Sequence, residues 1–380
     1  LKKNDYFGEQ ALLYGCNRAA TIKVDTTSAA NTYGTVTAAA IENLTVIHSG
    51  DAVATYALTA ANATELNIQG TAATITTTAE AAEKVIADVT GDTTITNGDL
   101  TKALTYDITV GADATFTATP TPSDFASGVA EARTLQMDVK GAGSASLTPT
   151  LSWGSQTTYK DTVTINASTN TGGVTGDFSG TNTATYINFT GGTGADTVEV
   201  ADGSMDENNV IKGGSGTDIL QLDVTLDGNQ LQDLFYTDTL TGTDLPTIEG
   251  FEVNKLIVAS SDAGRTLTTT SATLDTLEIA GDLGANVLTL GNVISGQTVK
   301  LSADSEHASS ALAVTVSGAT SSAPSSSLSI NLYQDGGLDA STVTALANVD
   351  DLRADTTTVL NIDAAGSDTD VTAFTIDGIS

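Results

Sequence analysis

Two copies of one glycine- and aspartate-containing pattern, each followed by a short hydrophobic stretch, constrain the fold of this chain more than any other feature. The pattern is G-G-x-G-x-D, and its copies begin at Gly191 and Gly213, 22 residues apart. Glycines at such places let the backbone turn with positive φ, and the alternation after each aspartate is typical of a β-strand. The sequence therefore predicts tight turns that lead directly into strands. The residues that define the two turns are Gly191, Gly192, Gly194, Asp196, Gly213, Gly214, Gly216 and Asp218.

The chemistry of these turns favours a hard cation. Carbonyl oxygens that point inward, together with the carboxylates of Asp196 and Asp218, are the ligands that Ca²⁺ prefers, so we predict Ca²⁺ as the cofactor. The alternative is a pair of plain glycine-rich turns. Asp202 and Asp206 in the intervening segment are further candidate ligands, but the twelfth position from Asp202 is Gly213, where an EF-hand needs a bidentate Glu. A solvated acidic loop is the better interpretation of that segment.

The rest of the chain is predicted to be almost wholly β. Short hydrophobic alternations bounded by Gly, Asn, Asp and Thr recur from residue 40 onward, as in Leu44-Thr45-Val46, at intervals of about 11 to 22 residues. We expect a β-sandwich-like or mixed β region, then calcium-binding turns, then irregular parallel β-solenoid rungs. Two short helices are candidates near 228–235 and 340–348. The predicted divisions are 1–24, a β-rich domain at 25–180, the turn segment at 181–225, and a solenoid-like domain at 226–380.

Charge and composition restrict the function classes. A net charge of −32 with 14 basic residues excludes a nucleic-acid-binding surface of the ordinary basic kind, and it makes divalent cations the expected counter-charge. No run of 18 apolar residues exists, so no transmembrane segment is expected. The single cysteine is Cys16, and the absence of cysteine from Val24 onward fits a protein that works outside the cell.

Residues 1–24 differ from the remainder in carrying a charge of +2, which leaves −34 for the other residues. Their pattern, Phe7-Gly8-Glu9-Gln10-Ala11-Leu12-Leu13 followed by Arg18, resembles the phosphate cassette of cyclic-nucleotide-binding domains. That resemblance implies that Gly8, Glu9 and Arg18 would contact the ribose and the cyclic phosphate. The following threonine- and alanine-rich stretch does not supply the surrounding barrel. We therefore interpret the segment as a fragment or fusion that does not bind a nucleotide.

The two glycine-aspartate motifs resemble the nonapeptide of repeats-in-toxin (RTX) proteins. With the threonine- and alanine-rich rungs, the acidity and the lead-ins such as Ile248-Glu249-Gly250-Phe251, residues 25–380 resemble bacterial surface-layer (S-layer) proteins of the RTX-like, type I-secreted kind. The resemblance implies a structural protein on the cell exterior. Its expected partner is itself, in a lattice bridged by Ca²⁺, with a cell-surface polysaccharide as a further candidate.

Catalysis has little support in the sequence. The two histidines, His48 and His307, are far apart and are expected in surface or loop positions, and no G-x-S-x-G nucleophile elbow is present. The single Trp153 and 5% aromatic content argue against a sugar-binding cleft. We therefore predict that the protein is not an enzyme. The alternatives are a calcium-stabilised extracellular adhesin and a β-solenoid polysaccharide-active enzyme.

Overall fold

The computed structural model describes the chain in segments. These are residues 18–26, 31–38, 40–50, 53–99, 103–122, 132–150, 161–181, 185–201, 208–223 and 246–258, followed by the strands 265–268, 276–281, 288–291, 298–301, 312–316, 328–333, 352–354 and 360–365. Every regular element in these segments is a β-strand. The chain divides into two compact units, residues 1–198 with 209–216 and residues 199–208 with 217–380.

The first unit consists of short strands that alternate between two parallel sheets. In chain order they are β1 (Ala19–Thr26), β2 (Asn31–Thr37), β3 (Asn43–Gly50), β4 (Ala54–Thr59), β5 (Glu65–Gly70), β6 (Ala73–Thr78), β7 (Lys84–Val89), β8 (Thr93–Asp99), β9 (Thr105–Val110), β10 (Thr115–Ala118), β11 (Thr134–Gly141), β12 (Ser144–Leu147), β13 (Asp161–Asn170), β14 (Val174–Asp177), β15 (Thr185–Thr190), β16 (Thr197–Ala201), which crosses the division at residue 198, and β17 (Val210–Lys212). Odd-numbered strands pair in parallel from β1 to β17. Even-numbered strands pair in parallel from β2 to β14.

We call these the odd sheet and the even sheet. Each strand pairs with the strand two places along the chain, so one rung contains one strand of each sheet. This is the connectivity of a parallel β-solenoid.

The second unit has the same alternation. Its strands are β18 (Ile219–Asp223), β19 (Thr247–Glu249), β20 (Val253–Val258), β21 (Arg265–Thr268), β22 (Thr276–Gly281), β23 (Leu288–Gly291), β24 (Thr298–Leu301), β25 (Leu312–Val316), β26 (Leu328–Tyr333), β27 (Leu352–Ala354) and β28 (Leu360–Ala365). The even-numbered strands from β18 to β28 pair in parallel. The odd-numbered strands from β21 to β27 form a second parallel sheet.

Columns of apolar side chains hold the first unit together. Alternate residues of β3, β5 and β9 are buried, as expected when one face of each strand points inward. The parallel register then stacks one buried residue from each odd-sheet strand between β3 and β17 into a continuous column. Its members are Leu44, Leu66, Val85, Tyr106, Met137, Ile165, Phe189 and Ile211, each at most 1% exposed.

The inner faces of the two sheets meet at Gly176. A Cβ at this glycine of the even sheet would lie about 3.2 Å from side-chain atoms of Ile165 and Phe189, which belong to the odd sheet. The missing side chain therefore makes room for larger ones opposite. Large and small residues complement each other across the core, which keeps the packing dense.

The prediction of an all-β chain with parallel β-solenoid rungs is confirmed. The structure differs in where the rungs begin, because parallel pairing starts at β1 and replaces the sandwich-like region predicted for 25–180. It also places the division at residue 24 inside β1. Each rung holds two strands, so strand starts recur at about half the rung length, which is also the spacing of strands in a sandwich. The two candidate helices lie outside the described residues.

Candidate functional site

The carboxylate of Asp196 connects two adjacent rungs. Asp196 lies immediately before β16 and is 1% exposed. Its Oδ1 accepts a hydrogen bond from the backbone N–H of Val174 at 2.6 Å, in the preceding rung. Its Oδ2 accepts one from the backbone N–H of Gly192 at 2.8 Å. The motif aspartate thus satisfies two buried amide donors, which would otherwise carry a substantial desolvation cost.

The glycines of the first motif are required for close approach between backbones. A Cβ at Gly191 would overlap both the Gly213 carbonyl oxygen and Asp196 Oδ2, and one at Gly192 would overlap the Asn170 carbonyl oxygen. Neither glycine has a positive φ. The expected reason for these glycines, a positive φ, is therefore wrong for the first copy. The space that a side chain would take is filled by backbone carbonyl oxygens of the neighbouring rungs and by the Asp196 carboxylate.

The second motif stacks on the first through its turn. The Gly191 N–H donates to the Lys212 carbonyl at 2.8 Å, and the Ser215 N–H donates to the Gly192 carbonyl at 2.9 Å. Here the expected conformation is present, since Gly214 has a φ of 106°. Gly214 and Gly216 are exposed, whereas Gly213 is buried. The structure therefore brings the glycines of both motifs together.

Asp218 belongs to the second unit, where its backbone is paired with the next rung. It is 0% exposed. Its N–H donates to Glu252 Oε2 at 2.8 Å, and its carbonyl oxygen accepts from the N–H groups of Glu252 and Val253. The Glu252 carboxylate therefore accepts a hydrogen bond from a backbone amide of the preceding rung, as the Asp196 carboxylate does in the first unit.

Three further side chains accept a backbone amide of the preceding rung, a role that was not predicted from the sequence. They are Asp161, Asn209 and Glu252. Asp161 Oδ1 accepts from the Arg133 N–H at 2.8 Å, and Asn209 Oδ1 accepts from the Ile187 N–H at 2.7 Å. Asp161 is the first residue of β13, and Asn209 and Glu252 directly precede β17 and β20. The signal was the acidic or amide residue at the start of a strand. In the structure, such a residue accepts a hydrogen bond from a backbone amide of the preceding rung.

The described residues fit a calcium site in part. No three His, Cys, Asp or Glu side chains in the described segments gather into a group that could hold a metal ion. The Gly213 carbonyl oxygen and Asp196 Oδ2 do converge on the space beside Gly191. Ca²⁺ takes about 6–8 oxygen ligands. The one carboxylate here also accepts two amides and would supply only part of this shell, so carbonyls and water would have to supply the rest. Calcium binding by Asp196 and Asp218 therefore stays a prediction.

The outward face of the odd sheet carries carboxylates in register. Asp107 on β9 pairs directly with Asp138 on β11. Lys140 Nζ lies 2.8 Å from Asp107 Oδ1, and both side chains are substantially exposed. The hydrogen bond to Asp107 raises the pKa of Lys140, and the charges of Asp107, Asp138 and Asp88 raise it further. One lysine therefore lies in the field of three carboxylates.

His48 is buried, so the prediction of a surface position is wrong. It lies on β3, 4% exposed, with Leu44 and Val46 on the same inward face. Its Nδ1–H donates to the Gln69 carbonyl at 3.3 Å, which leaves Nε2 to accept from the Tyr56 hydroxyl at 2.6 Å. Burial lowers the pKa of His48, although the bond to Gln69 opposes the shift. Burial also raises the pKa of the Tyr56 hydroxyl.

We expect His48 to make the fold sensitive to acid. The ordinary histidine pKa is 6.5, and the folded state lowers it, so the unfolded chain takes up this proton first as pH falls. The stability that His48 contributes is complete above pH 6.5 and is lost as pH falls through the lowered pKa. Melting temperatures between about pH 7.5 and pH 5.5 should fall more steeply for the wild type than for His48→Gln. His307→Gln is the control, and parallel curves for wild type and His48→Gln would contradict the assignment.

Several predicted positions lie outside the described residues. These are Gly8, Glu9, Cys16, Trp153, Asp202, Asp206 and His307. Arg18 is described, and its carbonyl oxygen accepts hydrogen bonds from the N–H groups of Glu42 and Asn43. The backbone at Arg18 is therefore tied into the first rungs of the solenoid.

Among the residues that the structure describes, there is no helix with the length and apolarity that a bilayer span requires. No protein-family model, curated protein or solved structure matches this chain.

Proposed function

We propose that this chain is a secreted structural protein that assembles with copies of itself into a calcium-dependent lattice on the cell exterior, in the manner of RTX-like S-layer proteins. The observation that carries the proposal is the excess of carboxylates on the odd sheet, where Asp88, Asp107 and Asp138 act on one lysine, Lys140, in a chain with a net charge of −32. Facing surfaces of this kind repel each other. A divalent cation bound between them converts that repulsion into an oxygen-bridged contact.

The architecture supports a structural role. In the first unit, backbone pairing between rungs is supplemented by side-chain acceptors at strand starts, such as Asp161, Asp196 and Asn209. A β-solenoid stabilised in this way presents regular outer faces at fixed spacing, as a lattice subunit requires. His48 is enclosed in the core and bonded to Tyr56, so it does not serve a reaction at the surface.

We expect Ca²⁺ to drive self-association and a chelator to reverse it. Light scattering and sedimentation should show large assemblies in millimolar calcium and small species in EGTA. Monovalent salt should substitute poorly, because it screens repulsion without forming directional oxygen bridges. Asp107→Asn with Asp138→Asn should raise the calcium concentration that assembly needs. The matched control, Glu80→Gln with Asp113→Asn, removes the same charge from exposed positions. Equal assembly in EGTA and in calcium would refute the proposal.

The ligand assignment needs its own test. If Asp196 and Asp218 ligate calcium, titration calorimetry of Asp196→Asn with Asp218→Asn should show fewer bound ions than the wild type. Circular dichroism must show that the variant keeps its β structure. An unchanged number of ions in a folded variant would remove these two residues from the calcium sites and leave them as acceptors for backbone amides.

A further inference from the structure

The outward face of the even sheet carries columns of hydroxyl side chains. The parallel register of β4, β6, β8, β10, β12 and β14 places one hydroxyl residue of each strand beside the next. These residues are Thr55, Thr74, Thr94, Thr117, Ser146 and Thr175. All six are exposed or half-buried. We call this surface the threonine face.

Neighbouring columns extend the pattern into a grid. Thr76 pairs with Thr96 in a second column, two residues along the strands from the first. Thr59 pairs with Thr78 in a third. The strands β4, β6, β10 and β12 contain no charged residue, and the charges of β8 and β14, Asp99 and Asp177, lie at the ends of these strands, outside the first column. The contrast with the odd sheet, which carries Asp107, Asp138 and Lys140, is clear in a chain with a net charge of −32.

The spacing of this grid is fixed by β geometry. Adjacent strands lie about 4.8 Å apart, and alternate residues of one strand lie about 6.6 Å apart. The strand-to-strand repeat is close to that between equivalent water oxygens along one axis of a prism face of ice, and the repeat along the strand falls somewhat short of that along the other axis. Each threonine offers a hydroxyl that can donate and accept, beside a methyl group that water can only surround. A grid of such groups matches an ordered water layer.

Two other occupants fit the threonine face less well. The grid from β4 to β14 covers roughly 350 Å² by these spacings, below the roughly 800 Å² per partner of a stable protein interface. Ser and Thr are also under-represented among the residues that dominate binding energy between proteins. A crystalline polysaccharide is usually gripped by aromatic rings, and the outward positions of the grid hold none.

We infer that the threonine face binds the surface of ice. Its hydroxyl and methyl groups hold water molecules at the repeat of the crystal, and the lack of charged side chains in the column from Thr55 to Thr175 keeps this layer from being organised around ions instead. This activity is independent of the calcium-dependent assembly proposed above, since it uses the even sheet and no carboxylate.

The test is ice growth in solutions of the full-length protein. Wild-type protein should halt the growth of a seeded ice crystal over a measurable temperature gap and should suppress ice recrystallisation. Thr74→Tyr with Thr94→Tyr breaks the first column at neighbouring positions and should abolish both effects. Tyrosine is favoured in strands, so the fold should persist, and circular dichroism verifies this.

The matched control places the same substitutions on the odd sheet. Thr45 and Thr164 are half-buried, outward-facing residues of β3 and β13, and Thr45→Tyr with Thr164→Tyr should retain the activity. A wild-type protein without effect on ice, or equal loss in both variants, would overturn the inference. Sedimentation in EGTA tests the alternative that a second copy of the chain covers this face. A change of oligomeric state confined to the Thr74/Thr94 variant would make the face a contact between copies.

Discussion

Replacing Asp196 by alanine is expected to destabilise the first unit by about 4 kcal/mol, because each buried amide left without an acceptor costs about 1–3 kcal/mol. The two amides are the N–H groups of Val174 and Gly192. Asp196→Asn should be intermediate, because one amide oxygen can still accept while the NH₂ group faces an N–H donor. Urea unfolding in EGTA, followed by circular dichroism, measures both effects without a contribution from calcium.

The matched control for Asp196 is Glu80→Ala. Glu80 is exposed, and its replacement by alanine removes the same charge. The free energy of unfolding of this variant should therefore stay within about 0.5 kcal/mol of the wild-type value. An Asp196→Ala variant as stable as Glu80→Ala in EGTA would contradict the structural role. It would also make calcium binding the better explanation for the motif.

Gly191→Ala is expected to be comparably severe. Its new Cβ would overlap the Gly213 carbonyl oxygen and Asp196 Oδ2. The first of these is backbone, which cannot move aside without separating two rungs. Overpacking in a rigid site typically costs about 1–3 kcal/mol, and the loss of the Gly191 N–H bond to Lys212 would add about 1 kcal/mol. Urea midpoints and the loss of far-ultraviolet β signal report the effect.

Gly34 provides the matched control for this substitution. It lies in β2, and a Cβ there meets nothing within 4 Å. Gly34→Ala should therefore be neutral or slightly stabilising, because alanine reduces the entropy of the unfolded chain. If Gly191→Ala behaved like Gly34→Ala, the close packing of the two motifs would be refuted.

The all-β class and the individual strands could be predicted because each strand carries its own signal. In β3 the buried residues alternate with half-buried ones, and that period of two is visible in any single strand. The partner of a strand is not visible in this way. Leu44 pairs with Leu66 across a whole rung, and only the register shows that alternate strands, not consecutive ones, are neighbours.

The chemistry of Asp196 illustrates the same limit. A buried carboxylate after a glycine turn could be expected from the motif, but its acceptor role depends on Val174, 22 residues earlier. That N–H comes into place only when the rungs stack. The inward position of His48, by contrast, was available from its alternation with Leu44 and Val46, and the polar nature of the residue outweighed the pattern.

Electron microscopy of the purified protein in calcium and in EGTA tests the central claim, calcium-dependent assembly of a structural protein, most directly. The account predicts ordered two-dimensional arrays in millimolar calcium, single particles in EGTA, and arrays again when calcium is restored. Single particles under all conditions, or identical arrays in EGTA, would contradict it.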